Sequence, residues 1–335
     1  MRTYSLVSEL PLRVEGLELD GLEQPVSSEF VRRTTVIRLR GEGQEGAGED
    51  VTYEAEEQAR FQAAGPALDV SGEHTLASFS ALLDGMPPYR RWGFESAALD
   101  LALRQQGRPL FELLGRTPAP VRFVVSTALG GDGAARLRRL SGFRFKLDPT
   151  SDWDEALVAE LAELDCVDVV DFKEAYTWRD PERTAPASVY RIVVDALPRA
   201  FVEDPDLADR AKAEILEPHR DRISWDAVIG SVADVDSLPF PPRVLNSKPS
   251  RFGSLERLFD FYDACAARRI ALYGGGQFEL GPGRGQIQYL ASLFHPDAPN
   301  DVAPAGYNLV PTPPGLPRSP LVPAPDRIGF RWLQP

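Results

Sequence analysis

A chain of 335 residues with 43% hydrophobic side chains can bury a large core, which sets disorder aside. Its 50 acidic residues outnumber 37 basic ones, and the net charge of −13 excludes nucleic-acid backbones and anionic membrane surfaces as main partners. That balance fits a protein handling small molecules. Only four of the basic residues are lysine: Lys146, Lys173, Lys212 and Lys248. Arginine stays protonated in proteins, whereas a desolvated lysine can act as a base, so lysines in this background are candidates for amine chemistry. Cys166 and Cys265 fall in apolar runs without a CxxC pattern and read as buried and reduced. The first residues lack a signal-peptide core and no run reaches a membrane span, so a cytoplasmic location is expected.

Residues 1–118 read as an α+β domain. Apolar and polar residues alternate at Tyr4–Val7 and Arg33–Leu39, and the Gly-rich Gly41–Val51 reads as a hairpin. Helical spacing follows at Glu54–Arg60, Thr75–Leu83 and Phe94–Gln105, and Leu110–Gly115 ends on a glycine stop. From 119 to 312, short apolar runs alternate with amphipathic helices, the pattern of parallel β/α units. Strands are expected at Val121–Ser126, Phe143–Leu147, Val167–Asp171, Ala200–Val202, Arg222–Trp225, Arg243–Leu245 and Ile270–Tyr273, with an eighth around Asn300–Ala303. Helices are expected at Trp153–Leu164, Ala187–Leu197, Leu207–Leu216 and Leu255–Arg268. Eight units predict a modified (β/α)8 TIM-type barrel under an N-terminal α+β capping domain, with an open doubly wound sheet as the alternative. The proline-rich residues 313–335 read as a strap returning to the first domain.

In a barrel the chemistry sits at the C-terminal ends of the strands. Those ends carry Lys146, with Arg144 on the same side, then Asp171 and Lys173, Glu203, Asp226, Asn246 and Lys248, and Glu279 in the loop after the seventh strand. A lone carboxylate after a strand is usually a cap or turn residue, but three on consecutive strands form the oxygen cage that Mg²⁺ prefers. Lys212, in a helical run, reads as a solvated residue. His74 and His219 read as surface residues and His295 as a minor member of the site. The Gly-rich loop 274–285 suits a phosphate or simply a close approach to any ligand.

These residues resemble the enolase superfamily. GEGQEGAGED is similar to the glycine-rich hairpin of its capping domain, and RWGFESAALDLALRQQGRPLFELLG to the helix before its barrel. Phe145-Lys146-Leu147 resembles the end of the K-x-K strand, and NSKPSRFGSLERL the KPS(R/K)xGG segment of the muconate-lactonizing-enzyme and o-succinylbenzoate-synthase branch. The resemblance implies Mg²⁺ held by Asp171, Glu203 and Asp226, with Lys146 and Lys248 as the acid/base pair. It further implies a small carboxylate substrate that loses its alpha proton through an enediolate, by cycloisomerisation, racemisation or epimerisation, or dehydration. Lys173, Asn246, Arg251 and Glu279 are the expected substrate contacts. The chain departs from the family where Arg144 replaces a lysine, Lys173 an asparagine and Ala227 a glutamate. Those departures support the alternative of a non-catalytic or metal-altered small-molecule-binding relative. A phosphate-binding barrel is a third reading, and homo-oligomerisation stays open.

Overall fold

Two glycines set how the first domain packs. The computed structural model describes residues 2–26, 31–66, 68–129, 133–174, 184–309 and 312–333. In it β2 (Gly16–Pro25), β3 (Val31–Gly41) and β4 (Gln44–Asp50) form an antiparallel sheet, and α3 (Pro88–Gln105) lies across β4. A Cβ on Gly46 would stand 2.2 Å from the carbonyl oxygen of Ala97, and one on Gly48 would stand 2.0 Å from that of Gly93. The glycine-rich stretch is therefore the hairpin expected, and its strand glycines also let a helix backbone rest directly on the sheet. The turn itself uses left-handed Glu42 and Gly43.

Other parts of this domain differ from expectation. Thr3–Leu6 is a single 3₁₀ turn tied to Asp263, because its backbone has no strand partner. Pro11–Val14 (β1) and Gly72–Thr75 (β5) form an antiparallel pair too short to show a period. Helices α1 (Ala55–Ala64) and α2 (Leu76–Leu82) fall where spacing placed them, α2 opening on a Thr75–Ser78 capping box. Helix α3 begins six residues before the expected Phe94, with Pro88 in its first turn, and a short α4 (Leu110–Leu113) follows it.

The second region is a closed ring of parallel strands. β6 (Val125–Thr127), β7 (Phe145–Leu147), β8 (Val167–Asp171), β9 (Phe201–Glu203) and β10 (Ile223–Ser224) form one sheet, and β11 (Val244–Ser247) pairs with β12 (Ala271–Gly274). A bond from Asn246 N–H to the Trp225 carbonyl at 3.1 Å joins the two sets. Closure runs through Asn300 and Asp301, which bridge Phe123 and Gly275 respectively. The expected eighth strand is thus two bridges long. Outside the ring, α6 (Glu155–Leu164), α7 (Ala187–Ala196), α8 (Arg210–Leu216), α11 (Leu255–Arg268) and α12 (Pro282–Phe294) bury their apolar faces, and α5 (Ala135–Arg139), α9 (Val232–Asp236) and α10 (Pro249–Phe252) are shorter. Part of the long connection after β8, residues 175–183, lies outside the described residues.

Four side chains depart from their expected places. Lys212 is buried rather than solvated, with its ammonium 2.9 Å from Asp206 and above the Tyr190 ring. Arg144 sits at the N-terminal end of β7 and donates to Asp168 at 2.8 Å, so it is not at the barrel mouth. His74 and His219 are half-buried. Cys265 is buried, Cys166 half-buried, and both are free thiols. No helix among the described residues is long and apolar enough to cross a membrane. Along the tail, Leu321 bridges Val121, and Phe330 N–H and Arg331 reach Asp100 of α3.

Candidate active site

A cavity of about 750 Å³ opens at the C-terminal ends of the strands, beneath the capping domain. Lys146, Asp171, Lys173, Asp226 and Lys248 line it, as expected from the strand ends. Tyr53, Glu54 and Tyr89 line it from the capping domain, with Val26 from the end of β2. β7 and β11 stand four places apart in the eight-membered ring, so Lys146 and Lys248 face the cavity from opposite sides.

The lysines are embedded in carboxylates. Lys146 Nζ lies 2.5 Å from Glu203 Oε1, 3.0 Å from Asp171 Oδ2 and 3.8 Å from Asp301 Oδ2. Burial pulls its pKa down, but Asp171, Glu203 and Asp301 outweigh burial and hold it well above the usual lysine value. Lys248 Nζ lies 2.7 Å from Asp226 Oδ2, and Arg251 lies 3.2 Å from Asp226 Oδ1. Burial raises Asp226, yet Arg251 and Lys248 overcome that and bring it to about 2. Burial and the neighbouring acids push Glu203 up to about 8 and Asp204 to about 6, with Lys146 opposing the rise at Glu203.

Carboxylate oxygens of Asp171, Glu203 and Asp204 lie within 4.8 Å of one another, all buried. Asp204 is the acid the strand-end reading missed, although it follows Glu203 directly in FVEDP. Its backbone is left-handed, φ 43°, and its two oxygens accept the N–H groups of Asp226 (2.8 Å) and Ala227 (2.9 Å). Asp204 thus brackets the turn that carries Asp226. Two other acids were also missed: Asp148, two residues beyond Lys146, and Asp301, at the ring closure. The linked group holds six carboxylates (Asp148, Asp171, Glu203, Asp204, Asp226, Asp301) against four cations (Lys146, Lys173, Lys248, Arg251). With all six acids in their ionised forms the formal surplus is two negative charges on buried oxygens, which fits one divalent cation.

The remaining expected contacts stand behind the cavity wall. Asn246 is buried and donates to Glu203 Oε1 at 3.3 Å, and Arg251 is spent on Asp226. Glu279 pairs with Arg284 at 3.2 Å, and it is Arg284 that reaches the cavity. His295 lies away from the cavity and bonds Asn300 at 2.7 Å, supporting the ring closure. Tyr273, read only as the end of an apolar run, donates to Glu203 Oε2 at 2.5 Å and accepts from the Ser224 hydroxyl at 3.0 Å.

The glycine-rich loop after β12 holds no room for phosphate at the start of α12. Glu49 of β4 already accepts the N–H groups of Leu280 (2.7 Å), Gly281 (3.0 Å) and Gly283 (2.9 Å). A helix N-terminus draws one anion to its free N–H groups, and here the anion is a side chain of the capping domain. Beside it, wholly buried Arg32 donates to the carbonyls of Val51, Thr52, Gln277 and Phe278 at 2.7–3.1 Å.

The chain has relatives across nearly its whole length. N-succinylamino acid racemase from Amycolatopsis is 27% identical, the match covering 92% of this chain and 96% of that one. Among solved structures, the dipeptide epimerase of Methylococcus capsulatus in complex with Mg superposes with a TM-score of 0.68 at 19% identity, over 87% of this chain and 90% of that one. Muconate cycloisomerase from Pseudomonas fluorescens gives 0.65 at 20% identity, over 87% of each. Family models described as the N-terminal and C-terminal domains of a domain of unknown function, DUF8230, match residues 5–113 and 117–309. The chain therefore belongs to the DUF8230 family and is an enzyme of the enolase superfamily, on its muconate-lactonizing-enzyme-like branch.

Proposed function

We propose that this protein moves the alpha proton of a small carboxylate, racemising or epimerising an N-acylated amino acid, with Lys146 and Lys248 as the acid/base pair. The observation that carries the proposal is the placement of two lysines on opposite sides of one cavity. Removal of a proton from one face and return to the other inverts the carbon, and this requires one proton carrier per face. Asp171, Glu203 and Asp226 would hold Mg²⁺, which when bound supplies positive charge to the substrate carboxylate and offsets the acids around Lys146. With those acids unneutralised, Lys146 is an ammonium and so an acid; with them neutralised, burial favours its neutral, basic form. Lys248, tied to Asp226, is the opposite proton carrier. Tyr53, Glu54 and Tyr89 stand where the rest of the substrate would lie.

The test is ¹H NMR in D₂O with Mg²⁺ and each enantiomer of a panel of N-acyl amino acids, N-succinyl derivatives included. Exchange of the alpha proton from both enantiomers is expected, with loss in Lys248→Ala from one enantiomer first. Complete absence of exchange across the panel would falsify the reading.

A further inference from the structure

Lys173 is the residue whose surroundings the acid/base pair does not account for. Its backbone is left-handed, φ 52°, a conformation disfavoured for a side chain of this length and retained where the surroundings enforce it. That conformation lets one residue grip both oxygens of Asp171: Lys173 N–H donates to Oδ1 at 3.1 Å, and its ammonium donates to Oδ2 at 2.9 Å. The ammonium is held from the other side by Asp148, 3.1 Å away. Asp171 Oδ2 thus already has two cations, Lys173 and Lys146, at 2.9 and 3.0 Å. Of the two, Lys146 is sealed in, while the Lys173 side chain is 44% exposed to the cavity.

We infer that Lys173 is an internal cation that competes with the divalent ion for Asp171, so that this site holds its metal weakly and exchangeably. The inference rests on the metal-dependent reading above. A divalent ion and an ammonium cannot both take the same oxygen at full strength, since each draws on the same lone pairs and the two cations repel. The Asp148–Lys173 pair anchors the competitor within reach, and its exposure leaves room for it to swing into the cavity as the metal enters.

Mn²⁺ alone is the probe, titrated into the full chain and read by the free-ion EPR signal. Lys173→Asn is expected to bind Mn²⁺ at least tenfold more tightly than the parent. Asp148→Asn/Lys173→Asn, which removes the pair without leaving a lone buried charge, is expected to tighten binding as well, by a smaller factor. Lys173→Arg, which keeps a cation there, is expected to stay within about threefold of the parent. Equal or weaker binding in both asparagine variants, with unchanged circular dichroism, overturns the inference and leaves the metal site standing. Absence of Mn²⁺ binding in every protein, the parent included, overturns both.

Discussion

The hydroxyl of Tyr273 donates to Glu203 Oε2 at 2.5 Å from across the barrel floor. Glu203 is wholly buried, and its other oxygen meets Lys146 and Asn246, so Tyr273 fixes the rotamer that presents that oxygen to Lys146. Groups that orient metal ligands typically contribute about 10–100-fold to affinity or activity. Tyr273→Phe is expected to lower the alpha-proton exchange rate and Mn²⁺ affinity by about that factor while keeping the fold, as read by NMR and EPR on the same samples.

Asp226 and Asp204 separate by role. Asp226 faces the cavity, whereas Asp204 gives both oxygens to backbone N–H groups. Asp226→Asn is expected to abolish exchange and cut Mn²⁺ affinity by about 100-fold or more. Asp204→Asn keeps one acceptor oxygen, so its main cost is stability, about 1–3 kcal/mol in a urea titration. The opposite ranking of the two Mn²⁺ affinities would move the third ligand position to Asp204.

The capping domain is stapled to the barrel by Arg32 and Glu49. Replacing Arg32 with Met strips donors from four carbonyls, and the expected loss is about 3 kcal/mol or more in chemical denaturation. Glu49→Gln retains the shape but weakens the cap on α12; an increase in KM larger than the fall in kcat is expected, because the loop it holds carries Gly276–Phe278 of the cavity wall.

Burial pulls His295 down to about 4 from an ordinary 6.5. The folded chain keeps it neutral while the unfolded chain protonates it below about 6.5, so its contribution to stability is complete above that pH. The contribution is lost as pH falls towards 4, with a total of about 3 kcal/mol from the shift. Thermal melts between pH 7 and 4.5 are expected to show this decline, and His295→Gln to flatten it. A melt with the same pH slope in both proteins would count against the assignment.

Much of the barrel was legible in the chain because parallel strands buried on both faces read as short apolar runs. Val167–Asp171 coincides with β8, and the cavity lysines stood out against an arginine-rich background. Tyr273 and Arg32 were not legible. Their roles depend on partners 70 and 246 residues away, and a tyrosine ending an apolar run looks like core. The β1–β5 pair escaped notice because four residues cannot establish an alternation. Asn246 in β11, Arg251 in α10 and Glu279 in the loop after β12 stand one layer behind the cavity wall, since position along the chain does not tell whether a side chain faces the cavity or the residue behind it.

The scarcity of lysine has a practical consequence. Lys212 is enclosed, and the other three all line the cavity, with side-chain exposures of 3% for Lys146, 12% for Lys248 and 44% for Lys173. An amine-directed reagent therefore finds its most accessible side-chain target at Lys173. The rate of that labelling, followed by mass spectrometry, reports whether the cavity is filled, on the unaltered protein and before any substrate is known.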